Sequence, residues 1–189
     1  MNATHAPKPP VNDLVYREAV ASDALCLGVL AMQVFLDTYA TQGIRPAIAR
    51  EALDRGSLDA FAALLADPAT TIVVAESAGH LVGFAHVGHD VAHEQLPDAR
   101  AAELCRLYVQ EPFTGRGVGR GLLRESERVA AARGAGTLWL TAWVGNARAL
   151  AFYPRQGYAH AGDTIYTIEG EDYANKLFAR RLEAGAHAA

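Results

Sequence analysis

Apolar and polar positions alternate over residues 14–17, the period-two pattern of a first strand. Ser22 or Asp23 is placed to cap a helix that carries Leu25, Val29, Met32, Phe35 and Leu36 at helical spacing. Residues 45–55 and 58–66 read as two short helices parted by Gly56. The β-branched run 70–76, the turn at Ala78-Gly79-His80 and the run 81–87 predict a β-hairpin. A polar, histidine-containing loop reaches to about Ala101, and 104–109 is a further strand. A glycine-rich loop then runs into a helix over about 119–133. Residues 137–144 are apolar on both faces, which predicts a central, buried strand. Asn146 opens a helix that ends at Gly157, and final strands lie near 158–168 and 173–182. The order of elements is α/β with a mixed sheet, without an internal repeat or a second domain.

Composition narrows the class. The 189 residues are 51% hydrophobic and 20% charged, as expected for one globular domain with a full core. Residues 1–12, with Pro7, Pro9 and Pro10, read as a flexible tail, 13–183 as the domain and 184–189 as a second tail. A net charge of -4 gives no bulk attraction to nucleic acid or to an anionic membrane. Cys26 and Cys105 are too few and too far apart for a disulfide framework, which points to a reducing, cytoplasmic setting. No apolar run approaches the ~20 residues of a membrane span, and the N-terminus lacks a signal-peptide core.

The stretch 103–123, ELCRLYVQEPFTGRGVGRGLL, carries the chemistry. A strand leads into glycines at 115, 117, 119 and 121, then into an amphipathic helix whose buried stripe is Val118, Leu122, Val129 and Ala130. Glycines let backbone N–H groups approach a ligand without a Cβ in the way. The helix N-terminus behind them adds roughly half a positive charge, suited to phosphate oxygens. Arg116, Arg120 and Arg124 add cationic groups. The loop lacks the GK[ST] of a nucleoside-triphosphate P-loop, and Arg120 stands where a dinucleotide fingerprint needs glycine. The competing reading is a strand-to-helix turn whose glycines only permit tight packing.

This loop resembles the pyrophosphate motif (Arg/Gln)-x-x-Gly-x-(Gly/Ala) of the GNAT family of N-acetyltransferases, met here by Thr114, Gly117 and Gly119. Threonine departs from the family's long polar side chain but leaves the backbone cradle. GNARALAFYPRQGY resembles the family's later element at Asn146, Ala149, Phe152, Tyr153, Gly157 and Tyr158. The likeness spans about 14–182. Phe35-Leu36-Asp37-Thr38-Tyr39 and ELCRLYV look like the spermidine/spermine-acetyltransferase subgroup. The resemblance implies a mixed, mostly antiparallel sheet flanked by helices and splayed between its fourth and fifth strands, with acetyl-CoA in the opening. Leu107, Tyr108 and Val109 would pair by backbone with the pantetheine arm. Gly115, Arg116, Gly117, Val118, Gly119 and Arg120 would hold the pyrophosphate. Asn146, Phe152 and Tyr153 would also border the cofactor, and a homodimer is compatible with the family.

The implied reaction acetylates a small primary amine, possibly cationic like a polyamine, by direct attack. A free amine is mostly protonated at neutral pH and must lose a proton. Glu103 is the candidate base, with Asp37 and Glu94 behind it; a solvated strand-end carboxylate is the alternative. Tyr153 is the candidate acid for the departing thiolate; the alternative is a packed core aromatic. Pro154 disfavours the α conformation at Tyr153 and removes a helical hydrogen bond. Asn146 suits an N-cap as well as a cofactor contact. His86, His89 and His93 lack the clustered ligands of a metal site, so none is expected. Asp90, Glu94, Asp98, Glu169, Glu171 and Asp172 are loop acids able to attract a cationic amine. The readings from other classes are a CoA-binding sensor or structural module, favoured by Thr114 and Pro154, and an enzyme acting on a peptide or protein amine.

Overall fold

Alternation along one hairpin sends Val73, Ala75, Val82, Ala85 and Val87 to one side and Ile72, Val74 and Phe84 to the other, and both sets are buried. A sheet apolar on both faces must be covered on both. The computed structural model describes residues 13–168 and 170–183. The expected tails at 1–12 and 184–189, and Glu169, lie outside the described residues.

In chain order the elements are β1 (Val15–Glu18), α1 (Ala24–Tyr39), α2 (Pro46–Arg55), α3 (Leu58–Ala66), β2 (Thr70–Ser77) and β3 (His80–Gly88). They continue with β4 (Ala101–Val109), α4 (Val118–Ala132), β5 (Thr137–Trp143), α5 (Ala147–Arg155), β6 (Ala159–Ile168) and β7 (Glu171–Arg181). The seven strands form one sheet in the order β1-β2-β3-β4-β5-β7-β6. Every neighbouring pair is antiparallel except β4 and β5. On one face α4 buries Val118, Leu122, Leu123, Val129 and Ala130, joined by Tyr153 of α5. On the other, α1 and α3 bury Leu27, Leu30 and Phe61 against Ile72, Val74 and Phe84.

The side of α1 that packs differs from the expected stripe. Ala24, Leu27, Gly28, Leu30, Ala31 and Phe35 are buried, whereas Leu25 and Val29 are 62% and 56% exposed. The reason is the helix crossing. A Cβ on Gly28 would come within 2.4 Å of the Gly56 carbonyl oxygen, and one on Gly56 within 2.2 Å of Met32. Backbones this close require the small-residue side of α1 to face α2 and α3, which turns Leu25 and Val29 outward. The stretch Ala21–Tyr39 is also long and apolar enough to span a membrane by length and composition alone, contrary to expectation. Its buried face makes it a layer of the core instead.

One cap expectation changes as well. The Asp23 carboxylate accepts from the Val20 N–H at 2.8 Å and pairs with Arg17 at 2.7 Å, so it closes the preceding 3-10 turn rather than capping α1. That pair holds the Asp23 carboxyl below the usual carboxylate range. Arg17 reaches Glu76 too, fastening β1 and this turn to β2.

Candidate active site

β4 and β5 stay together for three rungs only, Ala101 with Thr137, Ala102 with Leu138 and Glu103 with Trp139. Beyond Glu103, β4 keeps β3 on one side, through pairs running to Gly83–Val109, and has lost β5 on the other. β5 meanwhile follows β7 from Thr137–Arg181 to Trp143–Asn175. A wedge therefore opens in mid-sheet, and the β4 edge from Leu104 to Val109 faces it with backbone groups that β5 does not satisfy. Leu107, Tyr108 and Val109 lie on this edge. Leu107 and Val109 pack toward α4, while Tyr108 turns to the α1/α3 face.

A β-bulge helps to shape the wedge. Val87 pairs with Leu104 and His86 with Arg106, so Cys105 is the extra residue on β4. Alternation restarts after it. Glu103, Arg106 and Tyr108 consequently leave the strand on one face, opposite α4, with Leu104 and Leu107 on the other. No sequence pattern marked this bulge.

The glycine loop closes one end of the wedge. Gly115 and Gly117 have φ of 74° and 86°, and a Cβ on either would meet nothing within 4 Å. Their freedom serves conformation and an open approach, not tight packing, which favours the cradle over the packing reading. Gly117 is the N-cap of α4 and its carbonyl accepts from the Gly121 N–H at 2.9 Å. Gly119, one residue into α4, would place a Cβ in ordinary contact with Val109 and Phe152. Val118 is buried beneath the loop. The Thr114 hydroxyl donates to the Glu111 carbonyl at 2.8 Å, so its part is to finish a turn. Arg116 is half-buried and Arg120 exposed. Arg120 joins Arg124, Arg155 and Arg180 around a depression between α4 and α5. Acetyl-CoA fits this donor set: backbone N–H groups over an open floor, with arginines beside them.

α5 supplies the opposite wall. Asn146 caps it, its Oδ1 accepting from the Ala149 N–H at 3.0 Å. Phe152 meets the Gly119 position and stacks edge-on with Tyr153 at 5.2 Å. The Tyr153 ring is buried beside Tyr158 and Phe178. Burial raises the Tyr153 pKa, with the Tyr108 phenol across the wedge adding to the shift. Pro154 does not break the helix as its type suggested. It lies in the last turn of α5, which continues through Arg155. So near the helix end the missing N–H costs one hydrogen bond and no change of course.

The face opposite α4 forms a second chamber. Glu103, Arg106 and Tyr108 of β4 leave the sheet on this face, as do Trp139, Thr141 and Trp143 of β5. Thr141 is exposed although its strand is central. Tyr39 of α1, Trp143 and Tyr173 of β7 cluster at ring separations of 5.5 to 6.5 Å. The β6–β7 hairpin is tied to the helices by Arg45 with Glu171 and Tyr173, and by Tyr166 with Arg55 and Glu51 of α2. Glu103 is partly buried, and desolvation raises its pKa. Three other acids are engaged. Glu171 is held by Arg45, Asp172 accepts from Thr167 at 2.6 Å, and Asp98 accepts from Thr137 at the closed end of β5. Asp37, Asp90 and Glu94 are exposed.

Among the described residues no group of three His, Cys, Asp or Glu side chains is arranged to hold a metal. His86 is buried, His89 bonds Thr71 at 2.8 Å and the His93 ring packs on Trp139. Sequence reasoning passed over Arg106, Arg55 and Tyr39 as chamber residues. The visible signal was an arginine inside the otherwise apolar run LCRLYV.

Comparison with known proteins agrees with this geometry. Residues 36–158 match the family model described as the acetyltransferase (GNAT) family. An uncharacterized N-acetyltransferase of Lactobacillus delbrueckii subsp. lactis is 22% identical over 81% of this chain and 88% of its own length. A streptothricin acetyltransferase of Streptomyces lavendulae is 35% identical over 49% of this chain and 46% of its own. The crystal structure of the PaiA N-acetyltransferase of Thermoplasma acidophilum in complex with coenzyme A superposes with a TM-score of 0.68 at 19% identity, covering 89% of this chain and 99% of that one. That last likeness concerns the fold. The finer resemblance to spermidine/spermine acetyltransferases gains nothing from these matches.

Proposed function

The chain belongs to the acetyltransferase (GNAT) family, and from that premise we propose that it acetylates the primary amine of a small molecule by direct attack in a ternary complex with acetyl-CoA. The observation that carries this reading is the parting of β4 and β5 beyond the Glu103–Trp139 rung, with a left-handed glycine loop at one end.

Acetyl-CoA supplies the activated acetyl thioester. The amides of Gly115 to Arg120 hold its pyrophosphate, with Arg120 and Arg124 adding positive charge. The free β4 edge at Leu107, Tyr108 and Val109 pairs with the pantetheine arm, and Phe152 packs beside it. Asn146 is engaged as a cap and contributes by fixing the start of α5.

The acceptor occupies the chamber on the other face. Glu103, directly or through water, takes the proton that frees the amine; its raised pKa makes it a stronger base than an exposed carboxylate. As the C–N bond forms and the C–S bond breaks, Tyr153 donates its proton to the departing thiolate sulfur, and the second proton lost by the acetylated nitrogen passes through water and restores the phenol. Burial keeps that phenol protonated at neutral pH. The free Cys26 and Cys105 support a cytoplasmic setting.

A polyamine acceptor needs unengaged carboxylates in the chamber. Glu51, Glu171 and Asp172 already have partners, so these three give that finer reading little support. The test is thiol release from acetyl-CoA with a panel of polyamines, amino acids, aminoglycosides and peptide N-termini. Turnover with a small amine supports the proposal. Tight acetyl-CoA binding without release by any amine favours a sensor, and turnover with peptides alone favours a protein-modifying enzyme.

A further inference from the structure

Arg106 is a cation without a counter-ion among the described residues. Its Nη1 is sealed from solvent without a hydrogen-bond partner, and its guanidinium lies 5.4 Å from the centre of the Phe61 ring. Among the described residues it has no ion pair and no hydrogen bond. Burial lowers its pKa, and the charge of Arg55 acts in the same direction. Arg55 is itself bound to Glu51 and Tyr166. A desolvated charge is normally paired, because leaving it unpaired costs far more than an exposed one.

Its position gives the imbalance a use. Arg106 follows Glu103 on the same face of β4 with only the bulge between them, and Tyr108 comes next on that face. The phenols of Tyr108 and Tyr39 have no hydrogen-bond partner among the described residues, and burial keeps both protonated, with Tyr39 pushed up to about 12. One guanidinium and two hydroxyl donors thus lie on the side of the sheet where the proposed base stands, and among the described residues no carboxylate pairs with Arg106.

We propose that the acceptor carries an oxyanion near its reacting amine, a carboxylate or its phosphonate analogue, and that Arg106 captures it with Tyr39 and Tyr108 as further donors. The inference rests on the acetyltransferase reading above and narrows its substrate to amino acids or aminophosphonates. Arginine suits the task because its fork of N–H groups matches two oxygens of one oxyanion. Binding through Arg106 would hold the neighbouring nitrogen toward Glu103.

The test compares thiol release from acetyl-CoA for each common α-amino acid with that for its own amide, and includes 1-aminoethylphosphonate beside alanine. Amides have the less basic amine and so the larger neutral fraction. A preference for the acid therefore cannot arise from amine basicity. At least one acid or the phosphonate is expected to exceed its neutral counterpart in kcat/KM. Arg106→Gln should raise KM for that substrate roughly 10- to 100-fold, the range of hydrogen bonds to charged groups, and leave the amide within about threefold. Arg106→Lys should restore part of the loss. Amides equal to or better than every acid would overturn the proposal, as would an Arg106→Gln defect of equal size for acid and amide. Thiol release with neutral amines alone would thus sink the oxyanion site and spare the acetyltransferase. A second measurement needs no chemistry: protection of the protein by the same amino acids against thermal unfolding. Protection by acids but not amides, lost in Arg106→Gln, supports the site even if acetyl transfer fails. Equal protection in wild type and variant refutes it.

Discussion

Glu103 and Trp139 form the last rung between β4 and β5, and both side chains leave the sheet on the face opposite α4. Trp139 is fixed there: its Nε1–H donates to the Val91 carbonyl at 2.7 Å, and it is buried with Ala101 and Leu177. The carboxylate at the apex of the wedge therefore stands beside an apolar wall that holds little water. One geometric fact, the parting of two strands, both opens the cofactor cleft and desolvates the group proposed as base.

Glu103→Gln is expected to lower kcat/KM by about 10²–10⁴-fold, the usual contribution of general acid–base catalysis. The deficit should be largest at low pH, where an unaided amine is rarely neutral, and should shrink toward the amine's own pKa. Rate profiles of both enzymes against pH test this. A constant ratio at every pH would make Glu103 a structural carboxylate.

The same residue affects stability, with a definite sign. Its folded pKa lies above its unfolded value, so between the two the native state holds a proton that the unfolded chain has released. Its contribution is complete below the unfolded pKa and is lost as pH rises through the folded one. Glu103→Gln should remove this decline. The difference in urea midpoint, variant minus wild type, is expected to grow from pH 4 to pH 7.

Tyr153→Phe is expected to reduce kcat by about 10²–10⁴-fold while acetyl-CoA affinity and melting temperature change little. The ring stays packed on Tyr158 and Phe178, and the lost hydroxyl has no hydrogen-bond partner among the described residues. Single-turnover rates with matched calorimetric titrations separate the two effects. Unchanged single-turnover chemistry would assign Tyr153 to packing.

Much of this was legible in the chain. Alternation in 70–76 and 81–87 matches the observed hairpin to within a residue or two at each end, and the glycine spacing marked the loop into α4. These are local signals, read from neighbours in sequence. The face of α1 was not legible, because Gly28 and Gly56 meet across 28 positions and their closeness outweighs the size of Leu25 and Val29. The bulge at Cys105 was hidden for a related reason. It depends on how His86 and Val87 take up register with β4, and it decides that Glu103 and Arg106 share a face. Pro154 misled because its effect depends on how many turns follow it, and here the helix was already ending.

His86 should make the fold sensitive to acid. Burial, with the charge of Arg106 beside it, lowers its pKa from 6.5 to about 4, and neither ring nitrogen has a partner among the described residues. As pH falls from 6.5 to 4 the unfolded chain takes up a proton that the native state refuses, so stability is lost across that window. The loss approaches about 3 kcal/mol at one pKa unit per 1.36 kcal/mol. His86→Leu should flatten this part of the profile, measured as urea midpoints at pH 7 and pH 4. An equally steep loss in the variant would place the acid sensitivity elsewhere.

The glycine loop offers a test that separates backbone conformation from space. Gly117 has a φ of 86° and nothing near its missing Cβ, so any side chain there is strained without being crowded. Left-handed backbone costs an ordinary residue roughly 1–2 kcal/mol, and the loop can relieve that strain only by reorienting the N–H groups that begin α4. Gly117→Val should therefore lower stability by about that amount and weaken acetyl-CoA binding. Gly119 differs. Its φ is not left-handed, and a methyl would rest at 3.8 Å from Val109 and 3.9 Å from Phe152. Gly119→Ala should fold at least as well as wild type, gaining up to about 1 kcal/mol of helix propensity, and should bind acetyl-CoA nearly normally. Gly119→Val adds branches that Val109 and Phe152 leave little room for and should weaken binding while the fold survives. Isothermal titration of the three variants, with melting curves on the same samples, decides the matter. The expected affinity order is wild type close to Gly119→Ala, then Gly119→Val and Gly117→Val. Undiminished affinity in a folded Gly117→Val, Gly119→Val double variant would mean that the pyrophosphate is held elsewhere, with the arginine-lined depression between α4 and α5 the next place to look.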